Sequence, residues 1–232
     1  MKIWDCYPAY LNQNLLVAEH RELHGLQQIS NRKTPITKAT DAHIAAWISS
    51  PNAMSIRHDQ IVEEMHLHQI EHRSPMPRDD EPVEWPPLLQ QPSVANQFSQ
   101  LREVSSDARL AVPEDSETLI EQFAFSLMAR DPALYKRLQA QTAQGDLSLD
   151  ELMVTVSETL QLPVDEEVYQ RVISTMWRYC AKAPEAFTFA SSVNEPRRRL
   201  RAIQYLASKY KWPELWKSTA LTDLATCQIV KC

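Results

Sequence analysis

Apolar residues in the first third of the chain recur at helical rather than strand spacing. Over residues 15–29, Leu15, Ala18, Leu26 and Ile29 fall on one stripe, with Glu22 inside it or at its edge, and Asn12 or Asn14 stands where a cap belongs. Thr40 is placed to cap a short helix through Trp47 and Ile48, and "SIRHDQIVEEMHLHQ" makes a third, with Ile61, Val62, Met65 and His68 on one side. Further on, Ser116 with Glu117 opens a helix to Gln141 that is interrupted at Asp131-Pro132. Ser148 opens another, ended by Pro163; residues 165–182 form the next, and one more begins at Pro196, a residue suited to a first helical position. No run alternates with period two convincingly, and two glycines leave little room for tight hairpins. The pattern predicts an all-α protein in two parts.

The stretch "SPMPRDDEPVEWPPLLQQP" (74–92) contains six prolines and interrupts the helical pattern, so it reads as an extended linker or surface strap. Three regions result: a small helical domain over 1–78, an acidic proline-rich strap over 79–116, and a helical bundle of unassigned role over 117–232. The 232 residues suit one large or two small domains. No apolar stretch reaches the length of a membrane span and no signal-peptide pattern opens the chain, so a soluble, cytoplasmic protein is expected, without a membrane partner. Cys6, Cys180, Cys227 and Cys232 are scattered without a CxxC pair, which fits reduced thiols.

Charge changes the picture through its distribution. The net charge of −6 argues against a nucleic-acid partner, yet residues 1–78 carry eight basic and eight acidic side chains and 117–232 carry fourteen of each, so the excess sits wholly in 79–116. All seven histidines lie between His20 and His72. Imidazoles close to phosphate would gain protons and make this part more positive than its formal count.

Within "LLVAEHRELHGL" (15–26) five ionisable residues interrupt an apolar helix. A charged run is most simply a wet face, with Glu19 and His20 outward and Glu22 tied to an arginine. A carboxylate beside apolar neighbours, however, has its pKa raised and suits acid/base work. The segment "MKIWDCYPAYLNQNLLVAEHRELHGL", taken with "RHDQIVEEMHLHQIEHRSPM" (57–76), resembles the pyrimidine-dimer DNA glycosylase family, relatives of the phage endonuclease that excises ultraviolet photoproducts. In that family a short N-terminal segment leads into a helix bearing an Arg-Glu pair, here Arg21-Glu22.

The resemblance implies a DNA glycosylase with AP-lyase activity, free of any cofactor or metal, acting on double-stranded DNA with damaged bases. Pyrimidine dimers are the expected lesion, in a nucleoid-associated protein of a bacterium or phage. The α-amine of the first residue would be the nucleophile and Glu22 the acid/base group, with Arg21 holding DNA close to both. Met1 lies twenty-one positions before Glu22, the family's spacing between amine and carboxylate, and the bulk of Lys2 should keep Met1 in place. Leu15 and Gly25 depart from a histidine and an arginine of the phage relative. Lys2, His20, Arg21, His24, Arg57, His58 and Arg73 are the expected DNA contacts in this part of the chain.

Two other groupings were weighed on spacing alone. Glu64, His68 and His72 have the i, i+4, i+8 spacing of a metal-binding helical face, with His66 close by, but no HExxH or cysteine pattern accompanies them, and histidines lining a surface are the simpler reading. Between Asn194 and Trp212 there are six Lys/Arg and one acid, so Arg197, Arg198 and Arg201 can face outward toward phosphates. Residues 127–138, "LMARDPALYKRL", are faintly similar to an uncharacterised bacterial helical domain. A rival from a different class stays open: an adaptor that keeps the glycosylase fold, binds damaged DNA without cutting it, and meets a protein partner through 117–232.

Overall fold

The computed structural model describes residues 2–32, 41–79, 82–87, 94–189 and 195–231. The fold is all-α, and the chain divides into two units, Met1–Val112 and Pro113–Cys232. No helix among the described residues is long and apolar enough to cross a membrane.

In the first unit, a buried segment (Ile3, Trp4, Cys6 and Tyr7) runs into a single 3-10 turn at Pro8–Tyr10. Helix α1 (Gln13–Asn31) begins where the Asn12 side chain accepts the amide of Leu15. Helix α2 (Ala42–Ile48) is capped by Asp41, whose carboxylate accepts the amides of His43 and Ile44; Thr40, the expected cap, lies outside the described residues. Helix α3 (Pro51–Leu67) opens on a proline that needs no intrahelical partner for its missing N–H. Fourteen of its seventeen residues are buried, which makes it the central rod of the unit, packed by α1, α2 and the 3-10 turn.

The 79–116 stretch departs from the expected strap in its second half. Residues 74–79 and 82–87 carry no regular structure, but α4 (Val94–Val104) follows them. Phe98, Leu101 and Leu110 are buried in the first unit. The Ser105 hydroxyl donates to the Tyr10 carbonyl at 2.8 Å and the Leu110 amide to the Ala9 carbonyl at 2.9 Å. The acidic composition concealed an apolar triplet large enough to be worth burying.

The second unit follows its hydrophobic periodicity closely. Asp115 caps α5 (Ser116–Arg130), and Asp131-Pro132 ends it and starts α6 (Pro132–Gln144), which stops at Gly145 in the left-handed region (φ 76°). Helix α7 (Leu149–Leu160) opens with a reciprocal capping box between Ser148 and Glu151. Strand β1 (Val164–Asp165) pairs in parallel with β2 (Ile229–Val230), a short pairing the alternation of residues did not announce. Asp165 then caps α8 (Glu166–Cys180). A 3-10 stretch, Pro184–Phe189, precedes α9 (Pro196–Tyr210), α10 (Pro213–Trp216) and α11 (Ala220–Thr226). Leu119, Leu127, Val156, Ile173, Met176 and Leu206 are fully buried between these helices. Arg130 fastens α5 to α11 by a fork to Asp223, at 2.7 and 2.9 Å. Cys6, Cys180 and Cys227 are free thiols; Cys232 lies outside the described residues.

Candidate functional site

The buried stripe of α1 is Leu16, Glu19, Leu23 and Leu26, which shares Leu26 with the expected set and otherwise lies one position later. The cause is an acid in a core position. Glu19, 1 % exposed, takes a two-pronged ion pair from Arg57 of α3, with Nε at 2.8 Å and Nη2 at 3.2 Å. Arg57 also donates from Nη1 to the Cys6 carbonyl at 3.0 Å, and Glu19 accepts the Trp4 amide. Two side chains thereby fasten the N-terminal segment onto α1. Burial pushes the Glu19 carboxyl above the usual carboxylate range against the pull of Arg57, and burial also raises the Cys6 thiol. The expectation of an outward Glu19 is therefore corrected.

Glu22 sits one turn further along α1, half-buried at the edge of the stripe, and Arg21 is exposed beside it. Three residues of helix separate Glu22 from Glu19, or about 4.5 Å along the axis. Met1 lies outside the described residues. Lys2 is exposed; its Nζ donates to Gln100 of α4 at 2.5 Å and lies 3.5 Å from the centre of the Trp4 ring. Asp5 holds a second tether: its backbone amide donates to Gln97 Oε1 and its carboxylate accepts from Gln97 Nε2, each at 2.9 Å, with His43 Nε2 3.5 Å away. Burial raises the Asp5 carboxyl, with His43 opposing.

Several of the expected DNA contacts are elsewhere. Arg57 is 5 % exposed and committed to Glu19 and Cys6, and His58 is 1 % exposed, so both lie in the interior of the unit. Arg73 is exposed and pairs with Glu71 at 2.6 Å, a surface contact worth little. His20 and His24, one turn apart on α1, face His58 of α3 and His72 of the segment that follows α3. Burial, and then the three neighbouring imidazoles, hold His20 down at about 4; burial lowers His24 and His72 in the same direction. The gain of positive charge expected of these rings is thus opposed by their own crowding.

Glu64, His68 and His72 do not share one helical face. Helix α3 ends at Leu67, so His72 is off it, while Glu64 is wholly buried against Arg109, at 2.6 and 3.0 Å. His66 is exposed. On α9, Arg197, Arg198 and Arg201 are exposed and, with Tyr169, Leu200 and Ala225, line a cavity of about 160 Å³. Arg198 pairs with Glu195 at 3.0 Å and Arg201 donates to Gln204 at 3.0 Å.

Residues 1–77 match the model of the pyrimidine dimer DNA glycosylase family. No curated protein and no solved structure matches the chain. The matched segment takes in α1, α2, α3 and all four clustered histidines, and it stops short of α4. Sequence reasoning missed the Glu19–Arg57 and Glu64–Arg109 pairs because a charged residue at core spacing reads as a flaw in the stripe. The i, i+4 spacing of His20 and His24 was the available signal for the cluster; the partners on other elements had none.

Proposed function

We propose that the N-terminal unit is a DNA glycosylase with AP-lyase activity on damaged DNA, pyrimidine dimers being the lesion its family name suggests. Support comes from the family match over residues 1–77, and above all from the anchoring of Trp4 and Cys6 by Glu19 and Arg57, one helical turn from Glu22. The reading requires the Met1 α-amine to come within range of the half-buried Glu22 carboxylate. An α-amine with an ordinary pKa of ~7.7–8.0 is partly unprotonated at neutral pH and is a competent nucleophile.

In this reading the Met1 amine attacks C1′ of the damaged nucleotide, the C1′–N bond breaks as the base departs, and the sugar opens to a Schiff base. Glu22 removes the C2′ proton, and the resulting electron pair expels the 3′ phosphate. Exposed Arg21 grips the backbone beside the lesion. Access to C1′ requires the duplex to be distorted, at least cost where pairing is already weakened. The adaptor reading draws on the acidic 79–116 stretch and on the burial of Arg57 and His58, which removes two cations from the DNA face.

An incision assay on ultraviolet-irradiated plasmid separates the two. Wild type nicks irradiated DNA and Glu22→Gln loses about 10²–10⁴-fold in rate. Binding of irradiated DNA by both proteins without any nicking establishes the adaptor instead.

A further inference from the structure

We propose that His20, His24, His58 and His72 form a tetrahedral site for one zinc-class divalent cation, which staples the segment after α3 to α1. One potential ligand atom from each ring lies within 4.8 Å of every other. The ring centres are 4.7 Å apart for His20–His24, 4.9 Å for His20–His58, 5.0 Å for His20–His72 and His24–His58, and 5.1 Å for His58–His72. Four imidazoles bound at about 2.0–2.1 Å around one zinc ion would have ring centres roughly 5 Å apart at tetrahedral angles. Five of the six ring pairs show that spacing, and four of those five meet edge to face, at 65–84°.

The hydrogen bonding points the same way. Nε2 of His20, His24 and His58 is buried and has no hydrogen-bond partner. Buried polar nitrogens are almost always satisfied, and three that converge on one point are explained by a shared ligand. The other nitrogens are held from outside: His58 Nδ1 lies 3.3 Å from the Asp59 carboxylate, and His72 Nε2 donates to the Ser74 carbonyl at 2.8 Å. With those two nitrogens engaged, His58 Nε2 and His72 Nδ1 are the ones left for an ion, the arrangement in which a metal-bound imidazole is oriented by a carboxylate or carbonyl. Nitrogen-only donors without a thiolate suit zinc, with copper and nickel as chemical competitors.

Four protein ligands complete a tetrahedron, so the ion would fasten structure and not bind substrate. What it would fasten is plain. Residues 70–79 carry no regular structure and are tied to α3 by the Ser55 hydroxyl on the Pro77 carbonyl, at 2.7 Å, and the Asp79 amide on Asn52, at 3.1 Å. An ion at the quartet strengthens the tie to α1, where His24 already has a hydrogen bond with the Ser74 backbone, on the two histidines that bracket Arg21 and Glu22. The site is a positioning device for that turn of helix, independent of whether the turn cuts DNA.

The test uses the full chain purified without a polyhistidine tag, stripped with chelator and titrated with Co²⁺ and then Zn²⁺. One Co²⁺ per chain should bind with the intense visible absorption of a tetrahedral ion, be displaced by Zn²⁺, and raise the thermal midpoint. His58→Ala and His72→Ala should each weaken binding by at least about 10–100-fold, and Asp59→Asn by about 10-fold, while His66→Ala binds as wild type. His72 is half-buried on an irregular segment, so its variant reports on binding even where His58→Ala does not fold. No tight binding by wild type, a pale six-coordinate Co²⁺ spectrum, or unchanged affinity in both histidine variants overturns the proposal. None of these readouts involves incision, so the site and the glycosylase reading fail separately.

Discussion

The two units differ in what they take inside. In residues 1–112 the central helix α3 carries Arg57, His58, Glu63 and Glu64 into the interior, where Arg57 pairs with Glu19 of α1 and Glu64 with Arg109 of the segment after α4. In residues 113–232 the interior faces of α5, α8 and α9 are mainly hydrocarbon, and Arg130–Asp223 is the buried ion pair among the described residues. A buried pair rarely stabilises more than apolar side chains of the same volume would, because both charges give up their hydration. What it does provide is direction, since a bidentate fork fixes two elements in one mutual orientation. The first unit uses its pairs in this way. Arg57 aims Glu19, and together they seat the N-terminal segment, whereas the second unit reaches stability by packing and capped helices.

The largest expected effect follows from breaking the inner pair on one side. Arg57→Ala leaves Glu19 buried without its partner and should cost the first unit about 3–5 kcal/mol in chemical denaturation. Replacing both partners, Glu19→Leu with Arg57→Met, should recover most of that stability while lowering incision, because the Cys6 carbonyl and Trp4 amide lose their anchors. A double variant that is stable and fully active would show that the pair does not position the segment. Next in size is the contrast with the second unit: Leu206→Ala, fully buried in α9, should cost about 2–5 kcal/mol by leaving a cavity, and should leave Co²⁺ absorbance at the histidine quartet unchanged.

Smaller effects sharpen the comparison at the surface. If α9 meets DNA, removing Arg197 or Arg201 lowers the salt dependence of binding by about one unit of slope per lost phosphate contact, without preference for lesion. An unchanged slope in both variants assigns the cavity at α9 to something other than DNA. Smallest is a pH effect at Glu185. Hydrogen bonds from Lys209 and Tyr210 hold its carboxyl at about 2. A depressed folded-state value means that its stabilisation is present at neutral pH and is lost as pH falls from the usual carboxylate range toward about 2. Glu185→Gln should therefore melt slightly below wild type at pH 7 and together with it near the acid limit; a gap that widens on acidification would contradict this.

The same difference between units explains what could be read from the chain. Amphipathic helices of the second unit announce their faces, and Asp131-Pro132 and Ser148 with Glu151 mark ends that the structure keeps. In the first unit the stripe of α1 was misplaced by one residue because Glu19 occupies a core position that periodicity assigns to an apolar side chain. Helix α4 was missed because six prolines and a block of acids precede the apolar triplet that buries it. The Arg21-Glu22 pair was legible because it is a local motif. The histidine quartet was not, since His20 and His24 meet His58 and His72 only after α1 and α3 have packed.

The central claim is that the first nitrogen of the chain and Glu22 work on one sugar, and borohydride trapping tests it most directly. Incubating the full chain with abasic-site DNA and sodium borohydride, followed by mass analysis of the digested adduct, should find the sugar attached to the α-amine of Met1. An adduct on a lysine side chain, or incision that proceeds with no covalent species trapped, would contradict the account.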